Sequence, residues 1–213
     1  MAEPLQMNDD NPRSMRDDGV RQRRRAMLNL PHVAPLTAYA ARLRLRDSVE
    51  VPEFDPLDGG IDARVLFLFE KPGPMTAEHG ARLGSGFISR NNDDPTAEAA
   101  FDFMHRARIP RKLTVLWNVI PWWNGTRKVT TSELREGVEC VRDLIYLLPK
   151  VSVVVMVGKR AARASCHLEG IGLALFTSDH PSPLVRARFP ERWDAIPLEW
   201  AKAGSLILTS RER

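Results

Sequence analysis

Four short, nearly continuous apolar runs constrain this chain more than any other feature: VLFLF at 65–69, TVLWNV at 114–119, VSVVVMV at 151–157 and LALFTS at 173–178. Runs of this length, rich in Val, Leu and Phe and without polar alternation, read as strands buried on both faces. Between them the apolar period changes to that of a helix. Residues 96–108 place Ala99, Ala100, Phe103 and Met104 on one side. Residues 132–148 open on Ser132 as a cap and carry Leu134, Val138, Val141, Leu144, Ile145 and Leu148 at helical spacing before Pro149. Helices at 36–45, 159–167 and 191–202 complete the set. Strand and helix alternate, which predicts an α/β fold: a three-layer α/β/α sandwich around a central four-stranded parallel sheet. In such a sheet ligands bind beyond the carboxyl ends of the strands.

The rest of the chain bounds the setting. At 213 residues, with 43% hydrophobic and 27% charged, it suits one domain with a proper core. Residues 1–25 lack apolar periodicity and are expected to be a disordered leader, with a single domain over 26–213. No apolar run reaches the length that crosses a bilayer, and the polar, acidic N-terminus is unlike a secretion signal, so a cytoplasmic protein without membrane contact is expected. Cys140 and Cys166 are too few for a disulfide framework, a thiolate zinc site or a four-cysteine iron-sulfur cluster. His32, His79, His105 and His167 are scattered without metal-ligand spacing, so neither metal nor cofactor is expected. The formal charge is only +4, yet seven arginines and no acid fall between 21 and 46. Such a stretch is either a footprint for phosphate or a solvated helix face.

The strand ends hold the chemistry. After the first run comes Glu70-Lys71-Pro72-Gly73-Pro74-Met75, then Gly84-Ser85-Gly86-Phe87-Ile88-Ser89-Arg90. Asn118 lies late in the second run, and His180-Pro181-Ser182-Pro183-Leu184 follows the fourth. Singly, each has a plain structural explanation: a turn, a core aromatic, an amide holding a loop. VVVMVGKRAAR lacks the remaining Gly and the Ser/Thr of a phosphate-binding loop, so it reads as strand, turn and helix start. Trp117, Trp122 and Trp123 suit either base stacking or packing.

Taken together and in order, these segments resemble the uracil-DNA glycosylase superfamily over residues 60–200, with HPSPL the specific element. The stretch GSGFISRNNDDPT followed by VLWNVIPWW is similar to a bacterial uracil-DNA glycosylase-like branch. The resemblance implies an enzyme that flips uracil from single- or double-stranded DNA and hydrolyses its glycosidic bond, starting base-excision repair as a monofunctional monomer without cofactor. A flipped base must be stacked and read at its edge. By similarity Phe87 stacks it, Asn118 reads its carbonyl and N3 hydrogen, and His180 donates to the O2 that gains charge. Asp179 is a candidate for orienting His180, and Lys71, Pro72, Gly73 and Ser89 would complete the base pocket. Leu184 would wedge into the stack, with Ser182, Pro183, Arg186 and Arg188 on the DNA backbone.

The first loop departs from the best-known branch, which carries a water-activating Asp before its Pro and an aromatic after it. Here Lys71 and Gly73 stand there. Water activation would then fall to Glu70, to a group from Asn91-Asn92-Asp93-Asp94, or be replaced by leaving-group stabilisation. Lys71 could also attack the sugar as an amine. Gly73 opens space, for which Met75, Trp122 and Trp123 are the candidate fillers. The competing functions are a glycosylase-like DNA-binding protein without catalysis, and an enzyme acting on free nucleosides or nucleotides.

Overall fold

A computed structural model describes residues 9–77 and 84–208; residues 1–8 of the expected leader and His79 lie outside the described residues. The helices are α1 (Asp18–Ala26), α2 (Ala34–Leu43), α3 (Pro95–Arg106), α4 (Thr131–Tyr146), α5 (Ser165–Leu168), α6 (Pro183–Arg188) and α7 (Pro190–Leu208). The strands are β1 (Glu53–Phe54), β2 (Val65–Phe69), β3 (Phe87–Ile88), β4 (Thr114–Asn118), β5 (Val153–Val157) and β6 (Ala174–Ser178). The four apolar runs are β2, β4, β5 and β6, all parallel, in the order β4-β2-β5-β6. β1 and β3 form a separate parallel pair.

Register assigns the layers. Parallel partners share a face, so Phe67 and Leu116 point together, as do Phe69 and Asn118 one step on. On that face Phe67 meets Trp200 of α7 at 5.0 Å between ring centroids, and Trp200 in turn meets Phe103 of α3. On the other face Trp117 stacks on Phe54 at 3.6 Å and lies edge-on to Tyr39 of α2, whose hydroxyl donates to the Cys140 carbonyl of α4. Helices therefore cover both faces, which is why the central strands are apolar throughout. Trp117 is core and not a stacking surface for bases. The chain leaves β2 for β4 on one side, then crosses back to β5 on the other. The carboxyl ends at that switch point open a crevice.

Local chemistry moves some boundaries. The cap of α4 lies two residues earlier than expected, because Thr130 and Glu133 form a reciprocal capping box in place of a Ser132 cap. α7 runs on to Leu208, and the segment after His180 becomes a short helix, α6, where a turn was expected.

The leader is the larger correction. Residues 9–26 are folded onto the domain, with Met15 and Val20 packed on Phe87. Arg24 is fully buried and ion-paired with Asp55 at 3.1 Å. Few apolar residues mark this segment, because charge pairing attaches it. The same pairing accounts for the basic stretch: Arg23 bonds Asp9, Arg42 pairs with Asp143, Arg44 with Glu53 and Arg46 with Glu136. Arg21 caps the carbonyls of Met15 and Arg16, and Arg25 lies over the Phe87 ring. All seven arginines are engaged within the protein, Arg24 in the interior and Arg42 and Arg46 in exposed pairs.

Candidate active site

At the carboxyl ends of the sheet lies a cleft of about 910 Å³. Each strand delivers a side chain or turn to it: Phe69 and Glu70 from β2, Asn118 from β4, Gly158 after β5 and His180 after β6. The Phe69–Asn118 register sets an aromatic ring beside an amide. Asn118 is 4% exposed, and among the described residues its amide has no hydrogen-bond partner. A buried amide of this kind is an open donor and acceptor for a ligand edge.

His180 stands edge-on to Phe69, with ring centroids 5.8 Å apart and planes at 85°. Burial pushes its pKa down to about 4, and the nearby Arg127 and Arg160 guanidiniums add to the effect. The imidazole is therefore neutral at pH 7, a hydrogen-bond donor without charge. Gly158 makes this placement possible. Its φ is +89°, and a Cβ there would lie 3.0 Å from the His180 Cβ. Gly158→Ala is expected to cost about 1–2 kcal/mol of stability and to displace the imidazole, checked by thermal unfolding and by the His180 ring resonances in NMR.

Asp179 does not orient His180. Both its oxygens are taken by Arg192, one of them from Nε at 2.8 Å. Glu70 lies at the cleft and accepts from Arg160 at 3.2 Å. Lys71 borders the cleft, but its ammonium is turned to Asn124 at 2.7 Å, Glu133 at 2.8 Å and the Lys128 carbonyl, and its side chain is 3% exposed. An ammonium held this way neither attacks a sugar nor grips a base, so both expectations for Lys71 are corrected.

Phe87 is also misplaced by the sequence reading. It is fully buried beneath α1 and is absent from the cleft lining, where Phe69 supplies the aromatic face. The signal for Phe69 was its position, the last residue of the first apolar run. Ser89 reaches the cleft wall, yet its hydroxyl donates to Asp55 and accepts from the Asn91 amide at 2.9 Å, so it is committed to the fold. Pro72 and Gly73 do line the cleft. The space at Gly73 is filled neither by tryptophan nor by Met75: the Arg127 Nη2 lies 3.4 Å from where a Gly73 Cβ would be. Trp122 is buried, with its indole directed at Glu133, and Trp123 bridges Glu50.

The acid-amide loop contributes one residue freely. Asn91 bonds Arg111 and the Asn11 carbonyl, Asp93 pairs with Arg13, and Asp94 caps α3. Asn92 lines the cleft, donates to the Phe87 carbonyl at 2.9 Å, and leaves its buried Oδ1 without a partner.

At the mouth, Ser182 caps α6 through the Val185 amide, with Pro183 next in the helix. Leu184 is 61% exposed beside the half-exposed Phe189. Arg186 lies over Trp193, and Arg188 is exposed. Among the described residues no three His, Cys, Asp or Glu groups converge as metal ligands, and no helix is long and apolar enough to cross a membrane.

Comparison with known proteins adds two findings. The model of the uracil DNA glycosylase superfamily matches residues 56–200. A solved structure of a mimivirus UNG variant in complex with UGI aligns at TM-score 0.42 and 16% identity, covering 75% of this chain and 73% of that one. No curated protein matches.

Proposed function

The chain belongs to the uracil DNA glycosylase superfamily, and from that premise we propose that it flips uracil out of DNA and hydrolyses the N-glycosidic bond, leaving an abasic site. Members of the superfamily are hydrolases acting on N-glycosyl bonds. The observation that carries the reading is the neutral, half-buried His180 sharing a cleft with the Asn118 amide, unpartnered among the described residues, and the Phe69 ring. Phe69 takes the stacking role, and the Asn118 amide donates to one carbonyl and accepts from the N3 hydrogen, a pattern cytosine does not offer. As the bond to the sugar breaks, negative charge gathers on the base. The His180 N–H, held in a site partly closed to water, stabilises that charge. Glu70 positions the water. Leu184 enters the stack, while Ser182, Pro183, Arg186 and Arg188 face the DNA backbone. On this reading the protein acts as a cytoplasmic monomer without metal or cofactor.

The test is a labelled oligonucleotide containing uracil, incubated with protein and cleaved by alkali at abasic sites. Wild type is expected to give product, Asn118→Ala much less, and Glu70→Gln a rate lower by more than about tenfold with DNA affinity nearly intact. A Glu70→Gln rate close to wild type would remove Glu70 from the mechanism. No product from wild type would favour the second reading, a DNA-binding protein without catalysis. That reading draws on Lys71, which occupies the expected position of the water-activating carboxylate and is consumed by Glu133.

A further inference from the structure

We propose that Arg127 is a catalytic cation of the cleft, whose guanidinium neutralises the negative charge that builds on the departing base. This rests on the glycosylase reading and adds a residue that HPSPL and the strand-end motifs do not contain.

The charge inventory of the cleft singles it out. Glu70 is paired with Arg160, Lys71 with Glu133, Arg90 with Asp58, and Asp179 with Arg192. Arg127 lines the same cleft and has no hydrogen bond or ion pair among the described residues. Lys159 is likewise unpaired there, but it does not press on His180, whereas Arg127 does. Arg127 is exposed at the cleft, and its Nη2 sits 3.4 Å from the site of a Gly73 Cβ, which places the guanidinium against the loop that follows β2.

Chemistry supplies the need. When the bond between C1′ and N1 breaks, its electron pair stays with the base and spreads over N1 and the carbonyl oxygens. The water oxygen bonds to C1′, and its surplus proton passes to solvent. His180, being neutral, offers that anion a hydrogen bond but no charge. The Arg160 charge is shared with Glu70. An arginine keeps its proton in any protein environment, so Arg127 contributes permanent charge and a planar fork of donors without joining the proton transfer.

The experiment measures single-turnover excision by wild type, Arg127→Ala and Arg127→Lys on oligonucleotides carrying uracil or 5-fluorouracil, whose base leaves as the more stable anion. Arg127→Ala is expected to lower kcat by about 100-fold on uracil and by less than about tenfold on 5-fluorouracil, with KM little changed and lysine restoring part of the loss. Equal losses of kcat on both bases would overturn the proposal, as would a raised KM with unchanged kcat, the mark of a phosphate contact. Loss of excision by wild type itself would instead overturn the glycosylase reading, and this proposal with it. NMR titration gives a readout independent of turnover: the His180 pKa is expected to rise in Arg127→Ala. An unmoved titration would place the guanidinium away from the reacting base and overturn the assignment.

Discussion

His180→Ala is expected to slow uracil excision by about 100- to 1000-fold, the usual cost of losing one preorganised donor to a developing anion. The imidazole is prepared for this role by burial, by the Phe69 edge contact and by the close approach that Gly158 permits. Single-turnover rates would check it, and a loss of less than about tenfold would assign the role elsewhere. The pH dependence carries a sign. Because the folded pKa is lowered to about 4 from 6.5, kcat/KM is expected to show no inflection near pH 6.5 from this residue. Stability follows the same linkage. Below pH 6.5 the unfolded chain takes up a proton that the folded one refuses, so the contribution of His180 is intact above that pH and is lost as pH falls toward 4. His180→Ala removes that slope, which urea unfolding at pH 7 and pH 5 would reveal.

Asp55→Ala is expected to destabilise the protein by about 3–5 kcal/mol, because it strands buried cations. Asp55 accepts hydrogen bonds from Arg111 at 2.6 Å, the Ser89 hydroxyl and the Leu57 amide, and is ion-paired with Arg24 at 3.1 Å. Burial alone would raise its pKa, but Arg111 and Arg24 outweigh that and hold the carboxyl below its ordinary value. Without it, Arg24 has no other carboxylate within ion-pair distance among the described residues. Urea denaturation of Asp55→Ala, Arg24→Ala and the double variant should give strongly non-additive losses, since the two residues share one interaction. A single-variant loss under about 1 kcal/mol would show the pair to be worth no more than a surface contact. The same network holds Ser89 in the cleft wall and ties Asn91 beside it to the N-terminal segment, so removing that segment is expected to damage the site as well as the fold.

How far the sequence could be read depended on the kind of force involved. Burial in the sheet was legible, because strands covered on both faces must be apolar over their whole length. Phe67 and Val155 announce their surroundings by their type alone. HPSPL was legible because five consecutive residues keep their order in any fold. Ion pairing was not. Arg24 in the basic stretch looks no different from Arg25, yet one is buried against Asp55 and the other lies over Phe87. Lys71 next to Glu70 gives no sign that a carboxylate 62 positions away will take its amine.

The sequence by itself therefore determined the sheet, the alternation of strand and helix, and the strand ends at which Asn118 and His180 would appear. Those follow from local period and from chain order. Only the tertiary structure decided which aromatic faces the cleft, which charges cancel and which remain free. Phe69 replaced Phe87 because strand register aligns it with Asn118, while α1 folds over the other ring. Arg127 emerged for the same reason. Charge balance is a property of distances in space, and residues far apart in the chain set it.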